Sequence, residues 1–139
     1  MNPTAFSLAG YITWYMLLLV GIALYRTVLT LSGKRAANSF APEGSDVSPF
    51  SGRLCRAHAN CAEGFPIVGG LLVLALVTNT TDSPNTLALA VLASRVAQSI
   101  VHLISTSVMA VQLRFAFLLI QVVISIIWAI QFLARFAGC

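Results

Sequence analysis

The sequence predicts an all-α membrane protein: an up-down bundle of four transmembrane helices in one domain, residues 1–139. Three observations carry this reading. Of 139 residues, 58% are hydrophobic and only 9% charged, where a soluble domain carries roughly 25% charged residues. The mean hydropathy is +0.90. Apolar runs recur four times, each near the ~20 residues needed to span a bilayer. The chain is too apolar for a disordered segment and too short for a second domain. Its net charge is +4, but the basic residues are too scattered to suggest a nucleic-acid partner. Cys55, Cys61 and Cys139 are an odd set with no framework spacing, so no disulfide scaffold is implied.

The first span is expected at about 6–31. The stretch from Met1 to Tyr25 carries no charge, lacks a basic start and has no clear small-residue cleavage site, so it reads as a retained helix rather than a signal peptide. Tyr11, Trp14, Tyr15 and Tyr25 suit either interface anchoring or packing. A polar loop over about 32–52 follows, rich in Ser, Pro and Gly, with Lys34, Arg35, Glu43 and Asp46. The second span, about 53–78, has a polar first half that needs shelter from lipid, by protein or water. Ser83-Pro84 reads as a cap and first helical residue for the third span, about 84–107. The fourth, about 112–136, follows almost at once, so these two are antiparallel neighbours. Arg26, Lys34, Arg35, Arg53 and Arg114 fall on one side and Arg135 on the other. The positive-inside rule puts the long loop in the cytoplasm.

Ionisable residues at membrane depth carry the functional signal, because each costs on the order of 3 kcal/mol or more. Arg56, Asn60 and Glu63 are spaced i, i+4, i+7, within about 40° of Arg56's direction on one helix face. Arg95 and His102 are spaced i, i+7 with Gln98 beside them, and Arg114 opens the last span. One reading is structural, with Glu63 pairing with Arg56 or Arg95 to lock the helices. Against it stands the charge imbalance, three arginines to one carboxylate, which invites an anionic ligand with carboxylates, a cationic end and peptide groups. Cys55, His58 and Cys61 are too far apart along a helix for one metal ion, since residues six apart rise about 9 Å. Gln121, Ser125 and Trp128 form a stripe on the fourth span that reads as helix packing. A small multidrug exporter would need a carboxylate in the first span, which has none.

The segment Arg56-Ala57-His58-Ala59-Asn60-Cys61-Ala62-Glu63-Gly64-Phe65-Pro66 resembles the signature of the MAPEG family, the membrane-associated proteins of eicosanoid and glutathione metabolism. The pattern is R-A-[HQ]-x-N-x-x-E followed by an aromatic residue and proline. The run Arg95–His102 is similar to the family's third-helix segment, Lys34-Arg35-Ala36-Ala37-Asn38 to its basic pair and Asn, and Arg114 to the arginine that opens its fourth helix. His102 stands where the family usually carries tyrosine.

The resemblance implies a homotrimer that binds glutathione as co-substrate between protomers near the cytoplasmic side. Arg56, Asn60, Glu63, Arg95, Gln98, Lys34, Arg35 and Asn38 would bind the tripeptide, and Arg114 and His102 would face its thiol. The implied activity is glutathione transferase or peroxidase action on a lipophilic small molecule arriving from membrane lipid, as in bacterial microsomal-glutathione-transferase-like members. The compact loops and the lack of an obvious retention tail favour a bacterial inner membrane as the setting. Isomerase chemistry and a non-catalytic lipid-binding or scaffold role are the alternatives. No metal is expected.

Overall fold

The computed structural model describes residues 2–36, 38–42, 44 and 47–138; Ala37, Glu43, Asp46 and Cys139, which figure in the sequence reading, lie outside the described residues. Four helices follow one another: α1 (Pro3–Leu31), α2 (Pro49–Val77), α3 (Pro84–Ile104) and α4 (Val108–Gly138). All four are long and apolar enough to cross a membrane.

Local chemistry sets the helix ends. The Asn2 side chain accepts from the amides of Thr4 and Ala5, and Pro3 fills the first turn, where a missing N–H costs nothing. At the other end Gly33, with φ 77°, turns the chain so that the Lys34 amide closes on the Leu29 carbonyl at 3.0 Å. Ser48 accepts from the Ser51 amide ahead of Pro49, so α2 opens before the expected start at Arg53; the cap, rather than apolar period, decides this end. Ser105 is extended and ends α3, and the Ser107 hydroxyl accepts from the Ala110 amide at 3.2 Å to open α4. Both boundaries fall earlier than the apolar pattern predicts, because hydroxyl capping competes with helix continuation.

Hydrogen bonds between helix ends fix an up-down-up-down order. Tyr25 and Ser48 join their hydroxyls at 3.0 Å where α1 passes to α2. The Thr4 hydroxyl donates to Asn85 Oδ1 at 2.6 Å, placing the starts of α1 and α3 side by side. Arg53 Nε donates to the Leu103 carbonyl at 2.9 Å, bringing the start of α2 to the end of α3. At the opposite end Arg135 pairs with Asp82 at 3.3 Å, and the Ser83 hydroxyl bonds Gln131.

Helix α1 packs on α2 and α3, and α4 packs on α3 and α2; among the described residues α1 and α4 do not meet. The core joins Tyr11 and Leu18 to Ala57, Cys61, Leu72, Val91 and Trp128. Leu17, Val28, Ile67 and Ile126 remain exposed on the outer face, the pattern of helices that meet lipid rather than water. Tyr11 is a packing residue and no interface anchor: it is 1% exposed, and its hydroxyl donates to the Cys61 carbonyl at 2.9 Å.

Candidate functional site

Arg95 lies eleven residues into α3, about 16 Å along its axis and close to mid-bilayer. Its side chain is 1% exposed. Nη1 donates to Asn60 Oδ1 on α2 at 2.9 Å, and the guanidinium sits 5.5 Å from the Tyr11 ring centroid. Gly64 makes this berth. A Cβ there would fall 2.5 Å from Arg95 Nη2 and 2.9 Å from the Tyr11 hydroxyl.

Beside this berth a groove of about 340 Å³ runs between α2 and α4. Asn60, Glu63 and Gly64 line one wall, Arg95 the floor, and Gln121 and Ser125 the α4 side. Ile67, Leu118, Val122 and Ile126 make the rest apolar.

A second cluster lies toward the long-loop end. His102 is 5% exposed, and Arg56, Arg95 and Arg114 all stand close enough for their charges to act on it. Arg56 acts on Arg114 in turn. His102 follows Arg95 by seven residues, about 10 Å up the helix, so Arg95 joins the two clusters.

Neighbouring cations repel, and among the described residues no carboxylate forms an ion pair with Arg56, Arg95 or Arg114. Among the described residues Glu63 forms no ion pair, and Arg95 spends its bond on the uncharged Asn60. Neither the Glu63–Arg56 pair within α2 nor the Glu63–Arg95 pair between α2 and α3 is therefore formed. Four buried atoms of the two clusters lack partners: Arg95 Nε, His102 Nδ1, Arg114 Nε and Gln121 Oε1. Buried polar groups are nearly always paired, so this set has the chemistry of a site for a polar, anionic molecule.

The model of the MAPEG family matches residues 5–134. The chain belongs to the MAPEG family. With four spanning helices it is an integral, multi-pass membrane protein. No curated protein and no solved structure matches the chain. The MAPEG family includes glutathione transferases and peroxidases as well as non-catalytic members.

Within this MAPEG chain the expected site residues divide into three groups, with Gln98 standing apart. Asn60, Glu63 and Arg95 share the groove; Arg56, His102 and Arg114 form the upper cluster. Gln98, 2% exposed, accepts from Gln121 Nε2 at 2.9 Å across α3 and α4. Lys34, Arg35 and Asn38 gather at the loop instead. Lys34 is exposed, Arg35 Nη2 donates to the Ser39 carbonyl at 2.6 Å, and Asn38 faces a hollow with Arg26 and Phe40. A single chain does not bring these three to the groove.

Three contributors escape a reading of the sequence. In the sequence Gly64 reads only as part of a motif. Gln121 and Ser125, expected to serve packing, line the groove, whereas Trp128 is fully buried. The available signal was spacing: Gln121 follows Arg114 by seven residues and so shares its face of α4.

Proposed function

We propose that the protein is a membrane-bound glutathione transferase or peroxidase that binds the tripeptide across the two clusters and uses its thiol as thiolate. The observation that carries this is a surplus of cation: Arg95 is buried, Arg56 and Arg114 act with it on His102, and Glu63 forms no ion pair among the described residues. Glutathione offers two carboxylates for guanidinium forks, an ammonium for Glu63, and amides for Asn60 and Gln98.

The chemistry follows from charge. A free thiol titrates near about 8.5, so little thiolate exists at neutral pH. The guanidinium of Arg114 would stabilise the thiolate as a fixed positive charge, with no proton of its own to move. The thiol proton leaves to water on the loop side. His102, in the place usually held by tyrosine, would donate from its ring N–H to the sulfur. The thiolate then either displaces a leaving group from an apolar electrophile or attacks the O–O bond of a lipid hydroperoxide. In the second case alcohol and glutathione sulfenic acid form, and a second glutathione yields disulfide and water.

A homotrimer suits the exposed charges. Arg56 and Glu63 are exposed on the single chain, and charge facing lipid is costly; a neighbouring copy would cover them and bring Lys34, Arg35 and Asn38 to the site. The basic loop end would face the cytoplasm, with a bacterial inner membrane as the setting. The apolar α4 wall of the groove favours one alternative, a non-catalytic lipid-binding member.

The deciding experiment is an ultraviolet thiolate difference spectrum of purified protein in detergent, titrated with glutathione at neutral pH. A saturable thiolate band supports binding and activation together. Calorimetric binding without the band leaves a glutathione-binding protein without thiol activation. No binding at all overturns the proposal in favour of the lipid-binding role.

A further inference from the structure

The groove between α2 and α4 has one feature that charge does not explain. Gln121 is 2% exposed. Its Nε2 donates twice, to Gln98 Oε1 at 2.9 Å and to the Phe117 carbonyl at 3.2 Å. The Phe117 carbonyl only accepts, so the nitrogen must face it. The amide oxygen is thereby turned away from both partners, and it is buried with no donor. Across the same groove Arg95 Nε is buried with no acceptor. Asn60 Oδ1 is already taken by Arg95 Nη1.

Among the residues that line the groove, one buried donor and one buried, uncharged acceptor thus lack partners. Two carboxylates would satisfy Arg95 but leave Gln121 unpaired. A hydrocarbon would satisfy neither. A secondary amide satisfies both, its carbonyl accepting from Arg95 Nε and its N–H donating to Gln121 Oε1. We infer that Gln121 is a specificity-determining residue that accepts a peptide N–H of the bound ligand, in concert with Arg95. This deepens the proposed function and rests on it, because glutathione supplies the peptide groups. Gln98 then has a positioning role: it holds the Gln121 amide in the one orientation that leaves the oxygen free.

The test uses two glutathione analogues in which one or the other peptide N–H is replaced by an ester oxygen. Binding to the protein in detergent is measured by calorimetry. The wild-type protein is expected to bind glutathione about tenfold more tightly than one of the two esters, since a site with a buried acceptor rejects a ligand that lacks the donor. In Gln121→Met, which keeps the volume, that preference is expected to vanish while the ester binds as before. A merely structural role would weaken amide and ester alike. If Gln121→Met does not fold, Gln121→Asn withdraws the same oxygen by one methylene and is expected to lose the preference. Failure of the wild-type protein to bind glutathione overturns the proposed function itself. Binding in which both esters match glutathione, or a preference that persists in the Gln121 variants, overturns this assignment alone.

Discussion

Arg95 of α3 and Asn60 of α2 are joined by a 2.9 Å hydrogen bond at mid-bilayer depth, with Gly64 giving the guanidinium its space. A nearly fully buried cation is thus held by a neutral amide rather than by the carboxylate one turn away. The arrangement costs stability and leaves charge to spare, which is the signature of a site and not of a clamp.

Gly64→Ala separates those two effects. Replacing a mid-helix glycine by alanine gains up to about 1 kcal/mol of helix propensity. The new Cβ meets the far end of the Arg95 side chain at 2.5 Å and the Tyr11 hydroxyl at 2.9 Å, and both must shift. Overpacking at these two contacts costs about 1–3 kcal/mol, so a net loss of about 0–2 kcal/mol of thermal stability in detergent is expected, while glutathione affinity in calorimetry falls about tenfold.

Arg95→Met keeps the length and removes the charge. Replacing a poorly compensated buried charge by an apolar side chain is often neutral or stabilising. The variant is expected to melt at or above the wild-type temperature and to lose calorimetric glutathione binding by more than tenfold. A marked loss of stability would recast Arg95 as a structural residue.

Arg114→Ala addresses the thiol. Removing a nearby cation raises the apparent thiol pKa toward its free value of about 8.5. Thiolate absorbance of the complex is expected to drop several-fold at neutral pH and to recover as pH rises above that value, with glutathione affinity little changed. Arg114→Lys, which keeps the charge without the fork, is expected to retain part of the neutral-pH band.

Glu63→Gln tests capture of the ammonium. The wild-type protein is expected to prefer glutathione over its desamino analogue by about tenfold, and Glu63→Gln to bind the two equally. The ratio is read by calorimetry, so a general loss of affinity does not imitate the result.

Tyr11→Phe tests the scaffold under the site. It removes the donor to the Cys61 carbonyl and nothing else, so the expected cost is about 0.5–1 kcal/mol, the scale of hydrogen bonds between membrane helices. Thermal unfolding in detergent checks it.

Much of this was legible in the chain. Four apolar runs and a 9% charged content fix a spanning helical protein, because bilayer thickness and backbone satisfaction leave few other solutions. The i, i+4, i+7 spacing of Arg56, Asn60 and Glu63 puts them on one side of α2 whatever surrounds it, and the same motif marks the family. Helix ends were less legible: Ser48, Ser105 and Ser107 set boundaries through single hydroxyls that leave no trace in an apolar period.

Which residue meets which was decided by tertiary structure. Helical period names a face but not its neighbour, so Glu63 was the expected partner of Arg95 until packing chose Asn60. The choice depends on Gly64 and Tyr11: a hydrogen atom in place of a side chain, and a phenol ring from another helix. Gln121 was likewise an ordinary packing residue until Gln98 and the Phe117 carbonyl claimed its nitrogen. Sequence spacing determines direction along and around one helix, and the shape of the space between helices exists only once they pack.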